Sequence, residues 1–252
     1  MLLFVATTVY CQDPADTEVW EPKPKIVEPG NIHIEAPSDA IILFDGTSFE
    51  EWEIQNWDAD GPEEIKWTLE DDYMTSWRRQ DLKTHRKFTD VQLHVEWRVP
   101  EEIVNEGQRR GNSGIYLQGR YELQIMDGWE NPTYSNGMAG SVYKQHIPLA
   151  NPVKRPGEWQ TFDIFYKAPV FDDGNVEEPA RITVLWNGIL IQNNVEVYGT
   201  TRYIGEPEYE AHGPAAIRLQ GYAHSQVSFR NIWVRELDQE IIHTDGIRGG
   251  SR

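Results

Sequence analysis

The stretch Gly111-Asn-Ser-Gly-Ile-Tyr-Leu-Gln-Gly-Arg-Tyr-Glu-Leu-Gln-Ile-Met-Asp127 decides the fold class, because two alternating runs flank a single glycine, Gly119. Successive residues of a strand point to opposite faces, so Ile115 and Leu117 oppose Tyr116 and Gln118. On the return strand Tyr121, Leu123 and Ile125 oppose Arg120, Glu122 and Gln124. This is a hairpin with one core face and one polar face large enough to meet a sugar.

Outward from the hairpin, the same alphabet continues. Val91-Gln-Leu-His-Val-Glu-Trp-Arg-Val99 alternates strictly until Pro100 stops it, and Ala40 to Phe44 is a short apolar run closed by Asp45-Gly46. Further strands are expected over Thr161 to Tyr166, Ala180 to Trp186, Ile189 to Asn193, Ala216 to Leu219 and Val227 to Arg235. Trp186-Asn-Gly-Ile189 is the clearest turn, since Asn-Gly suits the positive φ angles of a type I′ hairpin. No amphipathic pattern supports a helix of ten or more residues. Many strands joined by Gly, Asn, Asp and Pro loops describe an all-β, two-sheet sandwich of jelly-roll type.

Composition narrows the partners. The 252 residues carry a net charge of −18, which disfavours nucleic acid and anionic membranes, both of which need a basic surface. Neutral or cationic small ligands fit better. The 10 Trp and 11 Tyr serve either as core anchors or as the lining of a saccharide cleft. No stretch approaches the ~20 apolar residues of a membrane span, and nothing in the sequence sets an oligomeric state.

Met1 to Cys11 is apolar and uncharged and turns abruptly polar at Gln12. It reads as an export signal lacking the usual positive start, cut before Gln12, which places the protein in the periplasm or outside the cell. Two rivals are a lipid anchor on Cys11, which Tyr10 fits badly, and a buried N-terminal strand. Residues 12–38, rich in Pro and Glu, read as an extended tether. The folded domain is expected over 39–237, with 238–252 as a C-terminal tail.

Seven pieces in order then resemble one family: Leu43-Phe-Asp-Gly-Thr with Trp52, Gln92-Leu-His-Val-Glu-Trp97, Gly111-Asn-Ser-Gly114, Arg120 to Asp127, Gly157-Glu-Trp159, Asn187-Gly188 and Arg230-Asn-Ile-Trp233. Together they resemble the 3-keto-disaccharide hydrolase domain. The resemblance implies a concanavalin A-like jelly roll in exported bacterial proteins that act on glycosides oxidised at C3. A ketone at C3 acidifies the C2 proton, so a base can remove it, charge gathers on the C3 oxygen, and the C1 substituent departs. Water then adds to the enone. Such a site needs one base, donors toward the enolate oxygen and an acid for the leaving oxygen. Ordinary glycosidases instead use a pair of carboxylates.

The hairpin offers one carboxylate clearly aimed into a cleft, Glu122, with Gln124 beside it as a donor. Asp127 falls on the opposite parity unless a bulge intervenes. Arg218 and Gln220 share one face of their strand, and guanidinium groups hold oxyanions well. His224 is the leading imidazole, although it is displaced relative to the family's Gln-Asp-His-Gly pattern. The catalytic candidates are thus Glu122, His224, Gln124, Arg218 and Asp127. Candidates for binding are Tyr143, Gln145, Gln220, Trp129, Lys144 and Trp52, with Trp57 as a further ring beside a polar loop. His146 and His85 are weaker candidates. His94 and Glu96 share a face read as cleft or solvent, and Trp97, Trp186 and Trp233 are read as core.

No metal-ligand spacing is present, and no cofactor is called for. A divalent metal, calcium or a catalytic ion gathered from distant loops or held by His224 with Glu122 or Asp127, stays open. Two further function classes stay open too: a non-catalytic carbohydrate-binding module, and a conventional glycoside hydrolase.

Overall fold

The computed structural model describes residues 13–21, 23, 25–26 and 35–237. The export signal, Cys11 and the tail 238–252 lie outside the described residues. Two antiparallel sheets face each other, as the alternation demands. The larger has eight strands, in the order β15 (Ile189–Glu196), β14 (Arg181–Trp186), β11 (Gln160–Lys167), β7 (Val91–Arg98), β17 (Ser228–Glu236), β5 (Tyr73–Thr75) and β4 (Thr68–Glu70), with β2 (Ile41–Phe44) also paired to β17. The smaller has five, in the order β3 (Trp52–Asn56), β6 (Gln80–Thr84), β16 (Arg218–Leu219), β8 (Ser113–Leu117) and β9 (Tyr121–Ile125). A parallel pair joins β1 (Lys25–Ile26) to β10 (Ala150–Asn151), and β12 (Val170–Asp172) forms a hairpin with β13 (Asn175–Glu178). The architecture is the concanavalin A-like jelly-roll sandwich expected of the sequence. Its only described helices are three single 3-10 turns.

Burial follows the parity of the strands. Ile115, Leu117, Tyr121, Leu123 and Ile125 of the small sheet meet Leu93, Val95, Trp97, Phe162 and Trp186 of the large one, all 2 % exposed or less. Trp97, Phe162 and Trp186 form an aromatic triangle with centroids 5.2–6.0 Å apart. Offset and edge contacts of this kind add to the area term. The β14–β15 turn is built as its dipeptide requires, with Asn187 at φ 50° and Gly188 at φ 78°.

Three expectations differ. Trp233 is buried but lies on the outer face of the large sheet, stacked at 5.1 Å on His94, its cross-strand neighbour. The polar row of β7 is therefore neither cleft nor solvent: His94 and Glu96 are 0 % and 4 % exposed. Alternation tells which residues share a face, and the neighbouring strands decide whether that face is covered. The segment read as a tether also takes another course over 13–21. Pro14–Thr17 is a 3-10 turn capped by Asp13, and the residues after it dock on the segment 133–144. Side-chain and backbone hydrogen bonds hold it, with an edge contact of Trp20 on Tyr134 at 6.2 Å.

Candidate active site

The small sheet's outer surface is the floor of a cleft of about 680 Å³, a size typical of small-molecule sites. Glu122 is at its centre. It stands opposite Tyr116 in the β8–β9 ladder and is 5 % exposed. Beside it Gly114 has no side chain for a reason: a Cβ there would come within 2.5 Å of Glu122 Oε1. The glycine of the Asn-Ser-Gly motif thus makes the space that the carboxylate fills.

Burial pushes the Glu122 carboxyl up to about 7; a hydrogen bond from Tyr116 and the charge of Arg218 oppose the rise, and the charge of Asp81 adds to it. With the Gln124 amide turned so that its nitrogen faces acceptors, Gln124 donates to Glu122 Oε1 at 2.9 Å and to Ser113 O at 3.0 Å. Gln220 Nε2 donates to the Tyr116 hydroxyl at 3.3 Å. Glu122 is thus held by neutral donors, and no cation bonds it directly among the described residues.

The nearest cation is engaged elsewhere. Arg218 is the cross-strand partner of Tyr116, lies over its ring at 3.6 Å, and pairs with Asp81. Asp81 is fully buried on β6 and also accepts from Trp57 Nε1 (2.6 Å) and Gly221 N (2.9 Å). Burial raises its pKa while these three donors oppose the rise. Gly221 is the closest approach in this corner, since a Cβ would lie 2.1 Å from Trp77 O.

The opposite wall is Tyr143 and Tyr134, whose hydroxyls are 2.7 Å apart. The segment carrying Tyr143 runs beside β9, with Tyr143 N donating to Glu122 O at 3.1 Å. Burial raises both phenols well above their ordinary value, so both stay protonated at neutral pH. Two protons and one mutual hydrogen bond leave one O–H free for a ligand. Gln108, Asn112, Thr201, Tyr203, Tyr222, Trp57 and Glu18 complete the lining.

Of the sequence candidates, Glu122, Gln124, Tyr143, Gln220 and Trp57 meet in this cleft. Arg218 adjoins it through Tyr116. The others lie elsewhere. His224 and Asp127 line a second cavity of about 250 Å³, where Asp127 pairs with Arg110 Nε at 2.6 Å and caps Trp129 N at 2.9 Å. The parity of β9 sends Asp127 away from the floor, and the long 220s loop carries His224 past the cleft. Trp52 is core, 2 % exposed, with Nε1 donating to Leu43 O. Trp129 lies under Arg155, 5.2 Å from the ring centroid, packed against the core. Gln145 ties Tyr198 N and Gly199 O together, and Lys144 Nζ bridges Pro14 O and Tyr203 O. His146 bonds Glu196 O, and His85 is an exposed partner of Glu53.

Sequence reasoning did not find Asp81, Tyr134, Asn112 or Glu18. Asp81 had a signal, the Asp-Leu-Lys alternation around buried Leu82. The other three come from loops whose position only the fold sets. Among the described residues no three His, Cys, Asp or Glu side chains gather as a metal set, and no helix is long and apolar enough to cross a membrane.

A jelly roll with a polar, tyrosine-walled cleft around one buried carboxylate is the class of protein that handles carbohydrate. The chain belongs to the 3-keto-alpha-glucoside-1,2-lyase-like domain family, which matches residues 39–235. A crystal structure of a candidate glycosyl hydrolase from Parabacteroides distasonis is 44 % identical, with a TM-score of 0.76 over 88 % of this chain and 96 % of that one. A second candidate glycosyl hydrolase from the same organism is 18 % identical, with a TM-score of 0.56 over 79 % of this chain and 94 % of that one, and shares the fold. Among curated proteins none matches.

Proposed function

We propose that this protein is an exported enzyme that cleaves 3-keto-glycosides, with Glu122 as the base that removes the C2 proton. The observation that carries the proposal is the lone carboxylate at the cleft's floor, desolvated and titrating near 7. A base is most effective when its pKa is close to the working pH, and an ordinary exposed glutamate is far too acidic for this.

The steps balance with groups that line or adjoin the cleft. Glu122 takes the C2 proton, and the electron pair moves into an enolate at C3. The free proton of the Tyr134–Tyr143 pair donates to that oxygen, in a water-poor site where such a bond is strong. The C1–O bond then breaks to give 2-hydroxy-3-keto-glucal, and the departing oxygen takes up a proton, which protonated Glu122 can return. Water adds across C1 and C2 to give the free 3-keto sugar. Arg218 acts through its partners: stacked on Tyr116 and neutralising Asp81, it keeps the second carboxylate from forcing Glu122 higher still.

The test is product analysis by mass spectrometry from 3-keto-trehalose beside unoxidised trehalose, with and without chelator. Cleavage of the oxidised sugar alone, passing through the glucal, is the expected result, and loss under chelator would add a metal to the site. Equal cleavage of both sugars would establish conventional hydrolysis instead. Cleavage of neither, with trehalose bound, would make the chain a binding module.

A further inference from the structure

One wall of the cleft comes from outside the matched segment 39–235. Glu18 belongs to the N-terminal segment, and its backbone is gripped on both sides. Asn136 is 4 % exposed; its Nδ2 donates to Thr17 O at 3.0 Å and its Oδ1 accepts from Val19 N at 3.0 Å. Ser135 N donates to Val19 O at 2.7 Å, and Ser135 Oγ to Trp20 O at 2.8 Å. Farther up, Lys144 Nζ ties Pro14 O to Tyr203 O.

Hydrophobic burial alone does not explain this docking, because Val19 and Trp20 are 43 % and 50 % exposed, with Trp20 touching Tyr134 only by an edge contact at 6.2 Å. What the clamp does is fix the direction of residue 18. With both neighbouring peptides bonded to one amide, the Glu18 side chain is turned to the cleft beside Tyr134 and Tyr203. One carboxylate oxygen accepts from Trp20 Nε1 at 3.3 Å. The other has no donor among the described residues.

We propose that residues 13–20 are a built wall of the cleft and that Glu18 determines specificity, its free carboxylate oxygen accepting hydrogen bonds from the sugar unit beyond the reacting ring. The inference rests on the reading of the cleft as a glycoside site. Glu18 is at the rim and half-buried, whereas Glu122 is on the floor, so a single ring over Glu122 leaves Glu18 to a second unit. A carboxylate accepts from two vicinal hydroxyls at once and repels acidic sugars, so the wall favours neutral disaccharides over monosaccharides.

The experiment uses unreactive probes and the full chain. Trehalose and methyl α-glucoside are titrated calorimetrically against the parent and Glu18→Ala, with circular dichroism as the fold control. The ratio of the two affinities should fall about tenfold in the variant, as expected for losing a charge-assisted hydrogen bond. Hydrogen exchange in residues 13–20 of the parent should slow with trehalose and much less with the methyl glycoside. An unchanged ratio in a folded variant, absence of trehalose-induced protection, or a parent that binds neither probe overturns the proposal. The probes do not react, so a fallen ratio without turnover of 3-keto-trehalose overturns the keto-glycoside reading alone. An unchanged ratio beside intact turnover overturns the Glu18 wall alone.

Discussion

Glu122 and Glu96 are the same residue type, each on a strand, each 5 % exposed or less, one on each sheet. Burial pushes Glu122 up to about 7. At Glu96 burial pulls the same way, yet the imidazole of His94, 3.9 Å away, and hydrogen bonds from Asn231 and Arg230 hold it at about 2. Arg230 Nε is 2.7 Å from Glu96, and Asn231 Nδ2 is 2.9 Å away. Glu122 has a phenol and an amide. Both sites are desolvated, Glu122 more deeply, and Glu96 alone has a charged donor, so burial and partners together make one carboxylate a structural anion and leave the other poised to take a proton.

Removing the poised carboxylate should break the comparison most severely. Glu122→Gln keeps the shape and loses the base, and we expect kcat on 3-keto-trehalose to fall about 10³-fold with trehalose binding retained. A fall of less than tenfold would place the base elsewhere. The pH profile checks the same point in the parent: kcat/KM should rise with pH to a plateau above about 7, because the ionised form is the active one.

Next comes the effect on stability. The folded Glu122 titrates near 7 against an ordinary 4.5, so the folded state holds its proton more tightly than the unfolded one. Stability therefore falls as pH rises from 4.5 to 7 and is flat beyond. Glu122→Gln escapes that loss and should exceed the parent by about 3 kcal/mol at pH 8 and by little at pH 4. Denaturant titrations at both pH values measure it. Glu96, held at about 2, has the opposite sign, and its stabilisation is present above its unfolded value and lost as pH drops toward 2.

Arg230→Met sharpens the contrast from the other sheet. It keeps a chain over Trp159, where the guanidinium now lies 4.2 Å from the ring centroid, but strands the Glu96 charge. Loss of a fully buried partner costs more, yet Arg230 is 27 % exposed, so solvent screening reduces the expectation to about 2 kcal/mol. Turnover should stay within twofold of the parent. A large loss of turnover would mean that the two sheets are coupled.

How much of this the chain declares in advance depends on the kind of information involved. The hairpin 111–127 is legible because parity is local: Ile115 and Leu123 inward force Tyr116 and Glu122 onto the other face. The Asn187-Gly188 turn is legible for the same reason, its φ angles being a property of two residues. Glu96 is not, since Gln92, His94 and Glu96 share a face in the sequence whether or not Trp233 and Arg230 cover it. His224 is misplaced because a loop's reach cannot be counted from its length, and Trp52 because a ring beside two glutamates still turns inward on a strand. Glu18 hides in a Pro/Glu-rich composition that resembles a tether until Asn136 grips it.

Asp81 tests how far a partner set can offset burial, because burial raises its pKa although it has a charged donor as Glu96 does. It is on the cleft sheet with Glu122, but it is bonded like Glu96, to a guanidinium and two N–H donors. If partners govern, removing one of its neutral donors should cost a modest amount of stability and leave the anion in place. Trp57→Phe does this, keeping an aromatic ring in the cleft while deleting Nε1, and we expect a loss of about 1 kcal/mol, below that of Arg230→Met. An unchanged stability would show that Arg218 and Gly221 suffice for Asp81. A loss larger than that of Arg230→Met would show that burial beneath the cleft, and not the donor set, controls the carboxylates of this sheet.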